Sequence, residues 1–308
     1  MNTLPSAWPE LPPNAWRNTY DTLHMWAQIV GKTRLALAPM ENHWWQVPFY
    51  VTVRGLTTSP MPHRNTSVSV DFDFISHELI VQTGEGARRS LPLAPMTVAD
   101  FFTQYLQTLR GLGIEPAIYA SPVEVQTVIP FAQDTQHAGY DRDAAQCCWR
   151  ILLDTERVLR RFRGRFTGKQ SPIHFFWGSF DLAATRFSGR RAPKHPGGAP
   201  NCPDWVMVEA YSHECSSCGF WPGDGDAQLP AFYAYAYPEP QGYAQRSVEP
   251  PARYDLKARE FLLPYAALRA APQPDETLLK FFQTTYEAAA DLGRWDRAAL
   301  DRVPLDHA

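Results

Sequence analysis

The chain repeats itself, and that repeat restricts the folds open to it more than any single motif does. Trp16-Arg17 and Asp21-Thr22 recur as Trp149-Arg150 and Asp154-Thr155, both at an offset of 133. Gly31-Lys32 recurs as Gly168-Lys169 at 137, four residues more and so about one extra helical turn. His43 of NHWW matches His174 of HFFW, and Phe49 matches Phe180, at 131. Phe101-Phe102 and Leu112-Gly113 recur as Phe281-Phe282 and Leu292-Gly293 at 180. The jump from 131 to 180 places an insertion in the Gly/Pro-rich stretch 190–230. The expected fold is α+β, an internally duplicated pair of helix–antiparallel sheet–helix units with pseudo-two-fold symmetry and a cleft between them, where ligand sites are commonest.

The pattern inside one unit supports this. Asn14 caps a helix whose apolar stripe is Trp16, Tyr20, Leu23, Ala27 and Val30, and Gly31 ends it. From Lys32 to Leu93 the chain turns to short β-rich runs, KTRLALA, HWWQVPFYVTV, TSVSVDFDF and HELIVQT, with GEG as a hairpin turn. Thr97 and Asp100 then cap a second helix bearing Phe101, Phe102, Tyr105, Leu109 and Leu112, and PAIYASPVEV closes the unit as a strand. The expected boundaries are 1–125 for the first repeat, 126–140 for a linker, 141–295 for the second repeat with its insertion at 190–230, and 296–308 for a loosely held tail.

At 308 residues with 44% hydrophobic and 20% charged side chains, the chain can bury a real core. The 10 tryptophans exceed what a core needs, so some are expected to line a pocket. A net charge of −3 argues against nucleic acid as a partner. RVLRRFRGRFTGK (157–169), the only basic run, is either a contact for phosphate or nucleic acid or, as the net charge favours, the solvated face of a long helix. The sequence shows no export signal and no apolar run of spanning length, so a cytoplasmic location and no membrane partner are expected. Five cysteines, an odd number, fit reduced thiols better than a disulfide framework.

Four longer motifs stand out: HFFWGSFDLAATRFSG (174–189), EAYSHE (209–214), GFWPG (219–223) and FYAYAYPEP (232–240). In these the chain resembles, over most of its length, a bacterial family catalogued as a domain of unknown function. The resemblance implies kinship and no activity, so functional expectations rest on residue chemistry.

On a strand starting at His174, alternation puts Trp177, Ser179 and Asp181 on one face and Phe176, Phe180 and Leu182 on the other. Asp181 among aromatic rings is either a general acid with a raised pKa or the partner of Arg186 in a structural ion pair. His43 and His174, at matching strand starts, are a pair of acid/base groups or a duplicated structural histidine. Asp204 caps a short helix in which Glu209 and His213 lie four apart, with Glu214 adjacent: half of an acid/base or metal site, or an ordinary surface pair. Cys215-Ser-Ser-Cys218 with Cys202 and His195 or His213 has zinc-like elements but no second C-x-x-C, so free thiols and no metal site are expected. Tyr233, Tyr235 and Tyr237 alternate onto one strand face.

The expected function is binding of a small molecule by an enzyme of acid/base chemistry, with or without a metal, in an aromatic-lined cleft. The alternative is a non-catalytic ligand-binding or sensing protein using the same cleft. Asp181, His213, Glu214 and His174 are the expected proton-transfer groups. Arg186 is an anion clamp, Trp177 and Trp221 are walls, and Tyr211, His43, Trp45 and Tyr235 complete the lining. No cofactor is identified, and the oligomeric state is open. A straight strand would hold His174 about 23 Å from Asp181; Gly178 between them permits a bulge that shortens the span, but His213 is the expected partner of Asp181 and His43 that of His174.

Overall fold

The computed structural model describes residues 8–223 and 229–302. Helix α1 (Pro13–Leu37) begins at a proline with no side-chain cap, a position where the missing N–H forfeits no bond. It does not stop at Gly31. Residues 22–34 are buried on every side, and this burial outweighs the β-like pattern of KTRLALA, which forms the last two turns of the helix. Gly31 serves close approach instead, because a Cβ there would lie 2.3 Å from Cδ2 of Trp177.

The first sheet holds β1 (Tyr50–Thr52), β2 (Gly55–Thr57), β3 (Met61–His63), β4 (Thr66–Asp73), β5 (Glu78–Thr83) and β6 (Arg88–Pro92), all antiparallel, in the order β1-β2-β4-β5-β6 with β3 beside β4. Helix α2 (Val98–Arg110) follows, capped by Thr97, whose Oγ accepts from the Asp100 N–H at 3.0 Å. Residues 116–125, read as a strand, are irregular and cross toward the second half. The 126–140 stretch is packed: Phe131 is fully buried, and the carbonyls of Asp134 and His137 accept from the first N–H groups of α2.

Helix α3 (Arg142–Arg163), capped by Asp141, leads into β7 (His174–Phe176), β8 (Asp181–Arg191), the short helix α4 (Asp204–Ala210), β9 (His213–Trp221), β10 (Ala231–Tyr237), β11 (Arg253–Asp255) and β12 (Glu260–Pro264). These strands form a second antiparallel sheet in the order β11-β12-β10-β9-β8-β7. Helices α5 (Tyr265–Arg269), α6 (Pro274–Leu292) and α7 (Arg297–Leu300) close the chain. The fold is α+β, and each sheet is preceded and followed by a helix. β9 falls inside the span read as an insertion, yet it is a central strand. The stretch between β8 and β9, with α4, stands apart from the sheet. The basic run on α3 is paired, Arg160 to Glu156 and Arg161 to Glu276 at 2.7 Å each.

The two sheets meet edge to edge. Phe49 and Phe175, flanking β1 and inside β7, exchange both backbone hydrogen bonds at 2.9 Å. Phe49 therefore faces Phe175 and not Phe180, and His43 lies in a 3-10 turn (Asn42–Trp44) at φ 58° while His174 opens a strand. The match at offset 131 does not put the two histidines at equivalent places. The residues after Arg294 are docked rather than loose: Asp301 accepts from the Tyr286 hydroxyl at 2.5 Å and from Arg297 at 2.8 Å. The remainder of that tail, 303–308, lies outside the described residues, as does 224–228 of the turn after GFWPG.

Alternation along the second sheet separates its two faces. Leu182, Ala184, Phe220 and Phe232 pack toward α3 and α6, with the Phe232 and Phe282 rings 6.2 Å apart. Asp181, Ala183, Thr185, Ser217, Gly219 and Tyr233 share the opposite face, which floors a cleft.

Candidate functional site

The cleft has a volume of about 520 Å³. Its walls come from both halves: Lys32 of α1, the 119–124 loop, the turn bearing Trp44 and Trp45, Trp177, and residues 201–211. The last of these form a cover tied down at both ends. Asn201 Nδ2 donates to Val125 O at 2.5 Å and the Glu124 N–H to Pro200 O at 2.8 Å, while at the far end Trp44 Nε1 donates to Val206 O at 3.0 Å.

The strand expected to run straight from His174 turns back on itself. Residues 177–180 make a hairpin closed by Phe180 at φ 60°, and Phe176 pairs with Asp181. That reversal sets Trp177 against α1, with its Nε1 on Val47 O at 2.9 Å, and starts β8 with Asp181 pointing into the cleft. Asp181 is buried, and its carboxylate accepts from the hydroxyls of Ser179 and Tyr233. Burial raises its pKa, and the two hydroxyl bonds act in the opposite direction. Tyr233 reaches it from β10 across β9 because the residue between is Gly219, where a Cβ would sit 2.7 Å from the Tyr233 hydroxyl.

Glu124 faces the same end of the cleft at φ 59°. The residue is exposed on the cleft wall, and partial desolvation by the protein packed beside its carboxyl, followed by the charge of Asp181, pushes that carboxyl up to about 7. Lys32 completes the group. Its Nζ lies 5.1 Å from the Tyr119 ring centre and 5.7 Å from that of Trp177, and burial pulls its pKa down to about 8 against the charges of Cys202 and Glu124. A ladder on α1 places these parts. His24, Gln28 and Lys32 are four residues apart; the ring of His24 meets the Gly178 carbonyl at 2.9 Å, and Gln28 exchanges two 2.8 Å hydrogen bonds with the backbone of Val123. Glu260, on β12, is likewise raised to about 7 by burial and then by Asp181.

A second polar group sits at the mouth. Lys169 Nζ donates to His43 Nε2 at 2.8 Å, His43 Nδ1 donates to Ala210 O at 3.0 Å, and the His43 N–H donates to Glu209 at 3.0 Å, which defines a neutral imidazole. His213 lies beside it, ring centres 5.5 Å apart. It opens β9 instead of continuing a helix, because α4 ends at Ala210.

Several expected partnerships are therefore absent. His213 pairs with Arg191, eight residues along β9 from the position opposite Asp181, so the two side chains are separated by roughly 25 Å and cannot form a dyad. Glu214 turns away from the cleft and accepts from Ser188 and Arg190 at 2.8 Å. Arg186 is 1% exposed on the core face, its guanidinium 3.5 Å from the Phe162 ring centre and 4.2 Å from that of Tyr286, so it is neither an anion clamp nor the partner of Asp181. Trp221 pairs with Ala231 at the end of β9 and does not line the cleft. His174 is fully buried between Trp45 and Tyr50, and burial lowers its pKa to about 3. It belongs to the packing. Cys215 and Cys218 point to opposite faces of β9, the first toward the cleft and the second toward Arg186, so they cannot close on one ion.

Of the other expected lining residues, Trp177, His43, Trp45, Tyr211 and Tyr235 are in the wall, with the Tyr211 and Tyr235 hydroxyls 2.7 Å apart. Lys32, Glu124 and Tyr119 were not foreseen in it.

Fold and cleft together define an α+β protein of two antiparallel sheets with an aromatic cleft lined by two carboxyls and a lysine. The chain belongs to a family described as "Family of unknown function (DUF5996)", whose family model matches residues 8–302. Comparison with curated proteins and with solved structures gives no match to either. Among the described residues no helix is long and apolar enough to cross a membrane.

Proposed function

We propose that this protein is an enzyme acting on a small organic molecule by acid/base chemistry, with Asp181 and Glu124 as its proton-transfer groups. The observation that carries the reading is that Asp181, Glu124 and Lys32 line one cleft of about 520 Å³, a size within the usual range for small-molecule sites, with Glu124 near enough to feel the charges of the other two. A carboxyl near 7 exists in both protonation states at neutral pH, as a group that both gives and takes a proton requires. Asp181, held by Ser179 and Tyr233, is positioned rather than mobile. The surrounding rings favour a ligand with a flat or apolar body. Free thiols at all five cysteines support a reducing, cytoplasmic setting.

The experiment is a defined library of small acids, amines and carbonyl compounds, scored for a rise in Tm and for consumption by mass spectrometry. Compounds that bind should be consumed by the natural protein. They should be bound but left intact by Glu124→Gln and Asp181→Asn, while His213→Ala and Glu214→Gln retain turnover. Binding without consumption by the natural protein would favour a sensing role in the same cleft, and no binding at all would sink both readings.

A further inference from the structure

Lys32 differs from the chain's other lysines in where its amine ends. It is 3% exposed, on the inner cleft wall, and its Nζ makes no hydrogen bond or ion pair among the described residues. Two aromatic rings flank it instead. Lys169, which follows Gly168 as Lys32 follows Gly31, is exposed and donates to His43. A buried amine that makes no direct ion pair, with Glu124 acting on it only from a distance, is held with its lone pair more available, the arrangement that makes a lysine a nucleophile. Gln28, one turn back, clamps the neighbouring loop by both backbone groups of Val123, which places Glu124 on the wall of the same cleft.

We propose that Lys32 forms a Schiff base with the carbonyl group of an aldehyde or ketone bound in the cleft. The proposal rests on the acid/base reading above and adds the substrate class. The neutral amine gives its lone pair to the carbonyl carbon while the C=O π pair moves to oxygen. Nitrogen then loses one proton and oxygen gains one, which leaves a carbinolamine. Glu124, protonated, passes its proton to the hydroxyl, the C–O bond breaks and water leaves, and the nitrogen lone pair closes the C=N bond. The products are an iminium ion, water and the Glu124 carboxylate, with no oxidant or reductant consumed. The cation is stabilised by that carboxylate and by the faces of Trp177 and Tyr119.

The test uses the full chain with benzaldehyde and sodium cyanoborohydride, which reduces the iminium and fixes the adduct, followed by peptide mapping. Lys32 should be modified more than about tenfold faster than Lys194, Lys257 or Lys280, because the cleft holds the aldehyde against an amine whose pKa burial lowers. Lys32→Met should lose that adduct and Lys169→Arg should keep it. Quenching of tryptophan fluorescence by benzyl alcohol, which has no carbonyl, reads cleft binding separately. Modification of Lys32 no faster than that of the surface lysines overturns the proposal. If benzyl alcohol still binds, the acid/base cleft survives that result, and if it does not, both fall.

Discussion

The hydroxyl of Tyr233 on β10 donates to the Asp181 carboxylate on β8, and it does so over Gly219 of the strand between them. This contact joins three strands through a site group, and it exists because one position on β9 has no side chain. In Gly219→Ala the new Cβ would lie 1.9 Å from the Leu182 carbonyl and 2.7 Å from the Tyr233 hydroxyl. The carbonyl belongs to β8 and cannot move without distorting the ladder. A loss of roughly 1–3 kcal/mol is expected in urea denaturation, as for an overpacked core. Tyr233→Phe should instead remove one hydrogen bond from Asp181 and raise its pKa further, since that bond favours the carboxylate. Unchanged stability of the alanine variant would show that the contact is not made as described.

Gly31→Ala tests the other close approach. In the interior of a helix this change ordinarily stabilises by up to about 1 kcal/mol. Here the Cβ would fall 2.3 Å from the Trp177 ring, which is itself fixed by Val47. The sign should invert, with a lower Tm and a change in tryptophan emission. A stabilised variant would place the Trp177 ring elsewhere.

The sequence carried much of this architecture, for identifiable reasons. Helix, antiparallel strands and helix in each half are written in periodicity, and from Asp181 onward alternation assigns the faces of β8 correctly. The hairpin at 177–180 was legible only as a bend permitted at Gly178, because the rest of HFFWGSFDLAATRF keeps a β-like composition and the left-handed residue is Phe180, not the glycine. His213 was misplaced because E-x-x-x-H spacing suggests a helix, while α4 ends three residues before it. Lys32 was hidden by the assumption that Gly31 stops α1. A signal was present in His24, Gln28 and Lys32, polar residues four apart within a buried helix. Glu124 sits on irregular backbone, where no periodicity points to it.

Two buried histidines should make the fold acid-sensitive. His24 and His174 have pKa values lowered to about 4 and about 3, chiefly by burial. The unfolded chain, with ordinary histidines near 6.5, takes up protons first. Their contribution is therefore complete above about 6.5 and is lost as pH falls toward 4 and below, at up to about 1.4 kcal/mol per pH unit for each. Glu124 and Glu260, raised to about 7, act in the opposite sense between about 7 and 4.5, because the folded state protonates them first. The difference between the natural protein and His174→Phe isolates the histidine: the variant should lose one proton's worth of slope below pH 6.5. Parallel stability curves for the two would mean that His174 is not held neutral.

Glu124 and Asp181 act as a coupled pair if the cleft is an acid/base site, and the titration of the Glu124 carboxyl by carbon-13 NMR tests this most directly. The expected midpoint is about 7, falling toward the ordinary glutamate range in Asp181→Asn, where the neighbouring charge is gone. A midpoint near 4.5 that Asp181→Asn leaves unmoved would contradict the account.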